Sequence, residues 1–306
     1  MPKIRIIANP AAGGGSARKK IPLIQRLLAE TSLDAELILT ERRGHGIELA
    51  REAAVNGRSI VVAAGGDGTL NEVINGLRMA RELSGQSPAL GVLCIGRGND
   101  FAGSVGIPSD LEAGFQVLAN DKRRTVDIGR VYGGFFPEGR YFGNCVGVGF
   151  DAMTTIQVSR MPRMGGFLSF MIAVLKTIFL YYKGPTVTIE YDDKTMTLPT
   201  LLVSVMNGRR LGGGFWLAPT AEPDDGLFDL CIAHQVSRME ILRLIPHFLK
   251  GTQGTQPAIK TGQARHVVIT AQSGSLPAQT DGEILCVEGK RLEIELLAKQ
   301  LDVISP

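Results

Sequence analysis

The segment IVVAAGGDGTLNEV, residues 60–73, constrains the fold more than any other part of the chain. Its first five residues are apolar and predict a buried strand, which a glycine-rich turn then ends. Thr69 is predicted to cap the helix that follows. Strand, turn and helix N-terminus together indicate an anion site, because free N–H groups and the helix dipole favour phosphate. A tight strand-to-helix turn without a ligand is the simpler alternative.

The same alternation of strand and helix runs through the first half of the chain. Strands are predicted near residues 3–8, 35–39, 90–95 and 125–131, with helical spacing between them. This alternation predicts right-handed crossovers and a largely parallel sheet, whose ligands bind beyond the carboxyl ends of the strands. The loops expected to meet at that edge are residues 9–16, 40–45, 65–69 and 96–100.

The pattern changes after residue 131, where short apolar stretches are separated by turn signals such as Asp-Gly and Asn-Gly. This half is predicted to be rich in β-strands and to form a sandwich. Its strands are expected near residues 141–148, 186–191, 201–206, 227–233, 266–270 and 291–296.

The composition excludes some partners and favours others. A net charge of +3 on 306 residues is too small to indicate a nucleic-acid partner, although short basic clusters suit an anionic membrane surface. The four cysteines lie far apart, without metal or redox spacing, which is typical of a reducing cytosol. The first residues lead directly into a strand, so we expect no signal peptide and a cytoplasmic location. Composition favours no particular oligomeric state.

Residues 164–182 are apolar enough to resemble a membrane-spanning helix. Their length is marginal, and Lys176 lies in the interior, where insertion scales assign a charge a cost of about 3 kcal/mol. Ser169, Lys176 and Lys183 fall on one stripe of a helix. We therefore predict a core helix of the second half, with a helix lying near lipid as the alternative.

Several motifs now point to one family. Asn9-Pro10 with Gly13, Thr40 before Gly44-His45, GGDGTLNEV and GRGNDFA together resemble the diacylglycerol kinase catalytic-domain family, which includes bacterial diacylglycerol kinases and sphingosine and ceramide kinases. The resemblance implies an α/β plus all-β fold. A doubly wound, phosphofructokinase- or NAD-kinase-like domain would cover residues 1–130, with 297–306 returning to it. A β-sandwich domain for the lipid substrate would cover residues 131–296.

The resemblance also implies an ATP site in the first domain. The family has threonine where this chain has Arg97, which replaces a hydroxyl by a fixed charge and a fork of donors. The implied nucleotide-contacting set is Asn9, Pro10, Ala11, Ala12, Gly13, Thr40, Gly66, Asp67, Gly68, Thr69, Leu70, Asn71, Glu72 and Arg97.

Carboxylates carry the chemistry that the resemblance implies. Glu222, the Asp225 side chain and the Leu227 carbonyl correspond to a Mg²⁺-binding loop, and Asp67, Asp100 and Asp127 to an aspartate–water–magnesium network. Three adjacent carboxylates would repel one another unless a cation neutralised them. Glu283 in Asp281-Gly282-Glu283 corresponds to the proposed proton acceptor, and Asp67 joins it as a catalytic residue. Without the family, both Asp-Gly motifs are ordinary turns.

These expectations define a lipid kinase. It would transfer the γ-phosphate of ATP, with Mg²⁺, to a hydroxyl of a membrane lipid such as diacylglycerol, and would contact the membrane surface without spanning it. One alternative is a kinase of small molecules resembling NAD kinase, because NAD kinases and phosphofructokinases share the GGDG turn. Another is a non-catalytic lipid- or nucleotide-binding protein on the same fold.

Overall fold

The computed structural model describes residues 3–85, 87–161, 166–181 and 183–306. The chain forms two compact units, which we call unit 1 and unit 2. Unit 1 comprises Met1–Val126 and Lys299–Pro306, and unit 2 comprises Asp127–Ala298.

Strands outnumber helices along the described parts of the chain. The strands are β1 Ile4–Ala8, β2 Ala35–Leu39, β3 Ile60–Gly65, β4 Ala89–Cys94, β5 Arg123–Gly133, β6 Phe136–Phe142, β7 Cys145–Gly149, β8 Thr186–Tyr191, β9 Lys194–Met206, β10 Arg210–Leu211, β11 Phe215–Trp216, β12 Phe228–His234, β13 Ile259–Ala264, β14 His266–Ala271, β15 Leu276–Thr280, β16 Glu283–Gly289 and β17 Arg291–Ile304. The helices are α1 Ile21–Glu30, α2 His45–Val55, α3 Asp67–Ser84, α4 Asp100–Ser104, α5 Leu111–Asn120, α6 Phe150–Arg160, α7 Gly166–Leu180 and α8 Arg238–Lys250, with 3₁₀ turns at Ala12–Lys20 and Gln253–Thr255.

Unit 1 contains a parallel sheet in the order β4-β3-β1-β2. Every residue of β3 is buried, which explains its continuous apolar sequence, because a parallel sheet is covered on both faces. Helices α1 and α5 pack on one face, and α2 and α3 on the other. Val303 of β17 pairs in parallel with Leu90 of β4. The predicted α/β fold of the first half is confirmed.

Unit 2 is a β-sandwich, as predicted. Strand β9 belongs to both of its layers: its first half pairs with β8, and its second half pairs with β7 and β12. The strands are mostly antiparallel, and their inward side chains form one core that includes Val146, Val203, Phe228 and Ile269. A second core, on the far side of β12, lies under α7 and α8.

Some predicted boundaries of unit 2 were wrong. The stretch expected as one strand over 141–148 is two strands, because the chain turns at 143–144 between β6 and β7. The strand expected to end at residue 296 continues to Ile304. Strands β13, β15 and β16 and helices α6 and α8 were not predicted.

Helix α7 occupies most of the apolar segment predicted over 164–182, of which 164, 165 and 182 lie outside the described residues. Ala173 and Ile178 are fully buried, so one face of α7 packs into unit 2. Its other face is exposed, which the prediction of a core helix did not anticipate. Across the described residues, α7 and the other helices are too short or too polar to cross a membrane.

Candidate active site

The carboxyl edge of the parallel sheet gathers most of the predicted nucleotide site. Ala8 pairs with Leu39 and Ala64, and Gly65 pairs with Cys94, so the four strands end level with one another. Backbone hydrogen bonds then hold the loops together. The N–H of Asn9 donates to the Ala64 carbonyl at 2.9 Å, and that of Thr40 donates to the Ala8 carbonyl at 2.9 Å.

Two glycines bring the third and fourth loops into contact. The N–H of Gly96 donates to the Gly65 carbonyl at 2.8 Å, and a Cβ atom on Gly96 would overlap with the Gly66 backbone. Helix α3 begins directly after Gly66, so its first N–H groups lie at this edge of the sheet. An α-helix of 18 residues that begins in this way is suited to an anion.

The predicted helix cap was wrong. Gly66 is the residue before the helix, with extended backbone angles, and Thr69 lies inside the first turn. The Thr69 side chain is buried, and its hydroxyl accepts a hydrogen bond from Asn9 Nδ2 at 3.0 Å. Asn9 Oδ1 in turn accepts from the Ala11 N–H at 2.9 Å. Thr69 therefore ties the first loop to the third.

Asp67 organises the loop that follows β4. Its carboxylate accepts hydrogen bonds from the N–H groups of Asn99 at 2.8 Å, Asp100 at 2.7 Å and Phe101 at 3.4 Å. A Cβ atom at position 98 would lie 2.6 Å from the same carboxylate, so any other residue there would have to displace Asp67. Asp67 thus caps the short helix α4 and brings Asp100 to the same edge of the sheet.

Glu72 has a structural task within unit 1. Its Oε1 accepts from the Gly44 N–H at 2.7 Å and its Oε2 from the Gly46 N–H at 2.9 Å, so it caps helix α2. Leu70, Asn71 and Glu72 are all buried. Their predicted contact with the nucleotide stays a prediction, and the geometry shows Glu72 fixing the loop after β2.

Arg97 and Lys20 both lie near this edge, and the sequence had singled out only Arg97. Arg97 is exposed, and its Cγ lies 3.6 Å from where a Cβ on Gly13 would stand, which places it beside the first loop. Lys20 Nζ donates to the Cys94 carbonyl at 3.4 Å. Burial, followed by the charge of Asp67, raises the pKa of the Cys94 thiol to about 11.

In unit 2, Asp127 binds the predicted metal loop. It is fully buried, its N–H donates to the Pro223 carbonyl at 2.7 Å, and its Oδ2 accepts from the Gly226 N–H at 2.7 Å. Asp225 Oδ1 accepts from the Leu227 N–H at 2.9 Å, and Glu222 pairs with Arg209. Within the described residues, histidine, cysteine, aspartate and glutamate side chains form no group of three or more that could hold a metal ion.

The Asp281-Gly282 turn positions Glu283. Both turn residues have positive φ, +46° and +82°, and they join β15 to β16 as a two-residue hairpin loop. The buried Asp281 carboxylate accepts from three consecutive N–H groups, those of residues 143–145, at 2.9–3.0 Å. Glu283 is half-buried and is the first residue of β16, where it lies opposite Thr280 of β15 in the antiparallel pairing of the two strands. Nothing in the local sequence indicated this role of Asp281.

Unit 2 also contains an apolar cavity, partly open to solvent, in the second core under α7 and α8. Its volume, measured for the centre of a water-sized sphere, is about 60 Å³. Asp151 lies in its wall, where burial raises the pKa of the carboxyl to about 7. The remaining lining is almost entirely apolar and includes Phe150, Phe170, Val174, Leu202, Phe215 and Phe248.

Comparison with known proteins shows which family this chain belongs to. Residues 3–131 match the diacylglycerol kinase catalytic domain, and residues 144–305 match the YegS C-terminal NAD kinase beta sandwich-like domain. A diacylglycerol kinase of Bacillus subtilis is 32% identical over 286 residues, which is 92% of this chain and 90% of that protein. The chain belongs to the diacylglycerol kinase family. A diacylglycerol kinase of Mycobacterium tuberculosis is 27% identical over 305 residues, with 99% and 95% of the two chains covered.

Solved structures agree on the fold of this family member. A crystal structure of a diacylglycerol kinase from Bacillus anthracis superposes with a TM-score of 0.75 at 24% identity, covering 100% of this chain and 97% of the other. An NAD kinase from Archaeoglobus fulgidus, solved in complex with ATP, gives a TM-score of 0.53 at 15% identity, covering 99% and 93%. The predicted likeness to NAD kinases is therefore a likeness of fold.

Proposed function

We propose that this diacylglycerol kinase family member transfers the γ-phosphate of ATP to a hydroxyl group of a membrane lipid such as diacylglycerol. The observation that carries the proposal is the apolar cavity of unit 2, in a chain of this family. An acyl chain gains about 0.8 kcal/mol for each methylene that leaves water, so an apolar cavity favours a lipid over a polar metabolite. Unit 1 then serves ATP, and unit 2 serves the lipid.

ATP binds at the carboxyl edge of unit 1 in this proposal. The N-terminus of α3 and the glycine-rich loops receive the phosphates, because N–H groups and the helix dipole stabilise negative charge. Arg97 and Lys20 add positive charge near the same edge. The geometry of Asp67 and Glu72 supports a second role for these residues: each holds one of the surrounding loops in place.

The acidic loop of unit 2 suits magnesium. Burial, and after it the charges of Asp225 and Glu222, raise the pKa of Asp229 to about 6, so these carboxylates repel one another. Mg²⁺ needs only one or two carboxylates, because it keeps several waters. Asp225, Glu222 and the Leu227 carbonyl would hold one ion, with Asp127 fixing their loop. Asp67 and Asp100 would hold another through water. When bound, magnesium neutralises charge on phosphate oxygens.

Glu283 is the proposed general base. Its carboxylate takes the proton of the lipid hydroxyl while the lipid oxygen bonds to the γ-phosphorus. The bond from that phosphorus to the β–γ bridging oxygen breaks, and ADP leaves with the electron pair. The three hydrogen bonds that fix Asp281 hold the hairpin rigid, which keeps Glu283 in position.

The proposed substrate also sets where the protein works. Lifting a two-chain lipid out of a bilayer exposes many methylenes at about 0.8 kcal/mol each, so the protein must reach the membrane surface. We propose peripheral attachment on the cytoplasmic side. The four cysteines are buried thiols that form no disulfide, which suits a reducing compartment.

The test incubates the protein with ATP labelled at the γ-phosphate, magnesium and a panel of acceptors. The panel contains diacylglycerol, phosphatidylglycerol, a sphingoid base, an undecaprenyl-type alcohol and NAD. We expect label in one or more lipids. Label in NAD alone would make the chain a small-molecule kinase, and nucleotide or lipid binding without any transfer would make it a binding protein.

A further inference from the structure

The outer face of helix α7 is an exposed apolar surface. Five large apolar side chains of α7 are exposed: Phe167 by 44%, Leu168 by 59%, Leu175 by 40%, Phe179 by 65% and Leu180 by 62%. Each is large enough that its transfer from water to an apolar environment is favourable. Such a concentration on one short helix marks an interaction surface, because exposed apolar residues are normally scattered.

Helical geometry shows that this surface is a second apolar face. Leu168, Leu175 and Phe179 are separated by seven and four residues, so they project from the same side of the helix. The opposite side, with Ala173 and Val174, is already buried in unit 2. Among the described residues, packing within unit 2 therefore leaves the side chains of Leu168, Leu175 and Phe179 largely exposed.

The positive charge around this stripe indicates which kind of surface it can bind. Residues 150–185 contain four basic residues and a single acidic one, Asp151, which is buried. Lys176 is exposed beside the stripe, and Lys183 follows the helix end. Arg238 of α8 donates to the Phe179 carbonyl at 3.3 Å, so a further cation joins the same surface. An apolar stripe flanked by cations complements an anionic bilayer.

The inner face of the same helix lines the apolar cavity through Phe170 and Val174. We propose that the outer face of α7 is the membrane-docking surface of the protein, entering the head-group region of an anionic bilayer with Leu168, Leu175 and Phe179 and anchored by Lys176. This inference rests on the proposed lipid kinase function. With this docking surface, the bilayer contacts the outer face of α7, and the inner face of α7 borders the apolar cavity.

The test measures binding to sedimentable vesicles without nucleotide, so its result does not depend on phosphotransfer. Phe179→Glu combined with Leu175→Glu should lower the partition coefficient at least tenfold on vesicles of phosphatidylcholine and phosphatidylglycerol. Lys176→Glu should lower it about fivefold on those vesicles and leave binding to pure phosphatidylcholine unchanged. Phe135→Glu is the matched control, because Phe135 is also in unit 2 and is 67% exposed.

The control should bind like the unaltered protein, and thermal unfolding should show that every variant is folded. Equal binding by the α7 variants and the unaltered protein would refute the docking surface, as would an equal loss in Phe135→Glu. A change in sedimentation from dimer to monomer, with vesicle binding intact, would assign the stripe to a second copy of the chain. Normal vesicle binding with no lipid phosphorylated would instead refute the proposed function.

Discussion

Asp151 offers the sharpest test of the electrostatics of unit 2. The residue is 6% exposed in the wall of the apolar cavity, and burial raises the pKa of its carboxyl from 3.8 to about 7. Ser204 Oγ donates to it at 3.0 Å and the Ala152 N–H at 2.8 Å, which partly offsets the burial. Tyr181 and Cys231 stay protonated near it, because burial and then the Asp151 charge raise their pKa values to about 12.

The sign of the pH effect follows from this raised pKa. Between pH values of about 4 and 7 the folded protein keeps a proton on Asp151 that the unfolded chain has released. The free energy of unfolding therefore falls as pH rises through this range, by about 1.4 kcal/mol per pH unit in its middle. Between pH 5 and pH 8 the loss from Asp151 is on the order of 2–3 kcal/mol.

Asp151→Asn removes this ionisation, so the variant should lack that part of the pH dependence. Denaturant unfolding followed by Trp216 fluorescence suits the measurement, because Trp216 is the single tryptophan and lies in unit 2. The fall in unfolding free energy from pH 5 to pH 8 should be smaller in the variant by roughly 2–3 kcal/mol. Exposed Asp193→Asn serves as the control and should behave like the unaltered protein. Parallel curves for all three proteins would refute the reasoning and show that Asp151 ionises freely.

Three further predictions concern the proposed chemistry. Glu283→Gln should lower kcat about 100- to 10,000-fold without changing the fold. Glu288 is exposed on the same strand, and Glu288→Gln should leave kcat unchanged. Similar kcat values for the two variants would show that Glu283 is not the base. Asp67→Ala should abolish activity and lower stability by about 1–3 kcal/mol, because three N–H groups lose their acceptor. Asp110→Ala, which removes the cap of α5, should cost about 1 kcal/mol and leave activity intact, and full activity in Asp67→Ala would contradict its role. Arg97→Thr should change the apparent KM for ATP and spare that for lipid; equal ATP kinetics would place Arg97 outside the site.

The parts of this fold that the sequence predicted well are those with local causes. Strand β3 appears as a run of apolar residues because both its faces are buried, and the glycines after it mark the turn into α3. The Asp281-Gly282 hairpin is similarly local, since two adjacent residues must adopt positive φ. Strand ends of a parallel sheet then meet at one edge as a matter of topology, so the meeting of four loops could also be predicted.

The errors arose where distant residues decide local structure. Thr69 has the chemistry of a helix cap, but its hydroxyl accepts a hydrogen bond from Asn9, sixty residues earlier, and the helix starts three residues sooner than predicted. Asp281 looks like an ordinary turn residue, yet it binds three N–H groups of the loop at 143–145. Hydrogen bonds of this kind join positions more than a hundred residues apart, which no local pattern records.

By itself, the amino-acid sequence determined the order of strands and helices, the glycine turns and the family, because backbone preference and burial pattern are properties of neighbouring residues. Only the tertiary structure decided that one side of α7 borders a cavity while the other stays exposed. A helix such as α7, which is apolar over most of its circumference, has the same sequence pattern whether it lies in a core or at a surface. Which of its faces is covered depends on elements elsewhere in unit 2, and burial on one side of α7 is therefore a property of the packed chain.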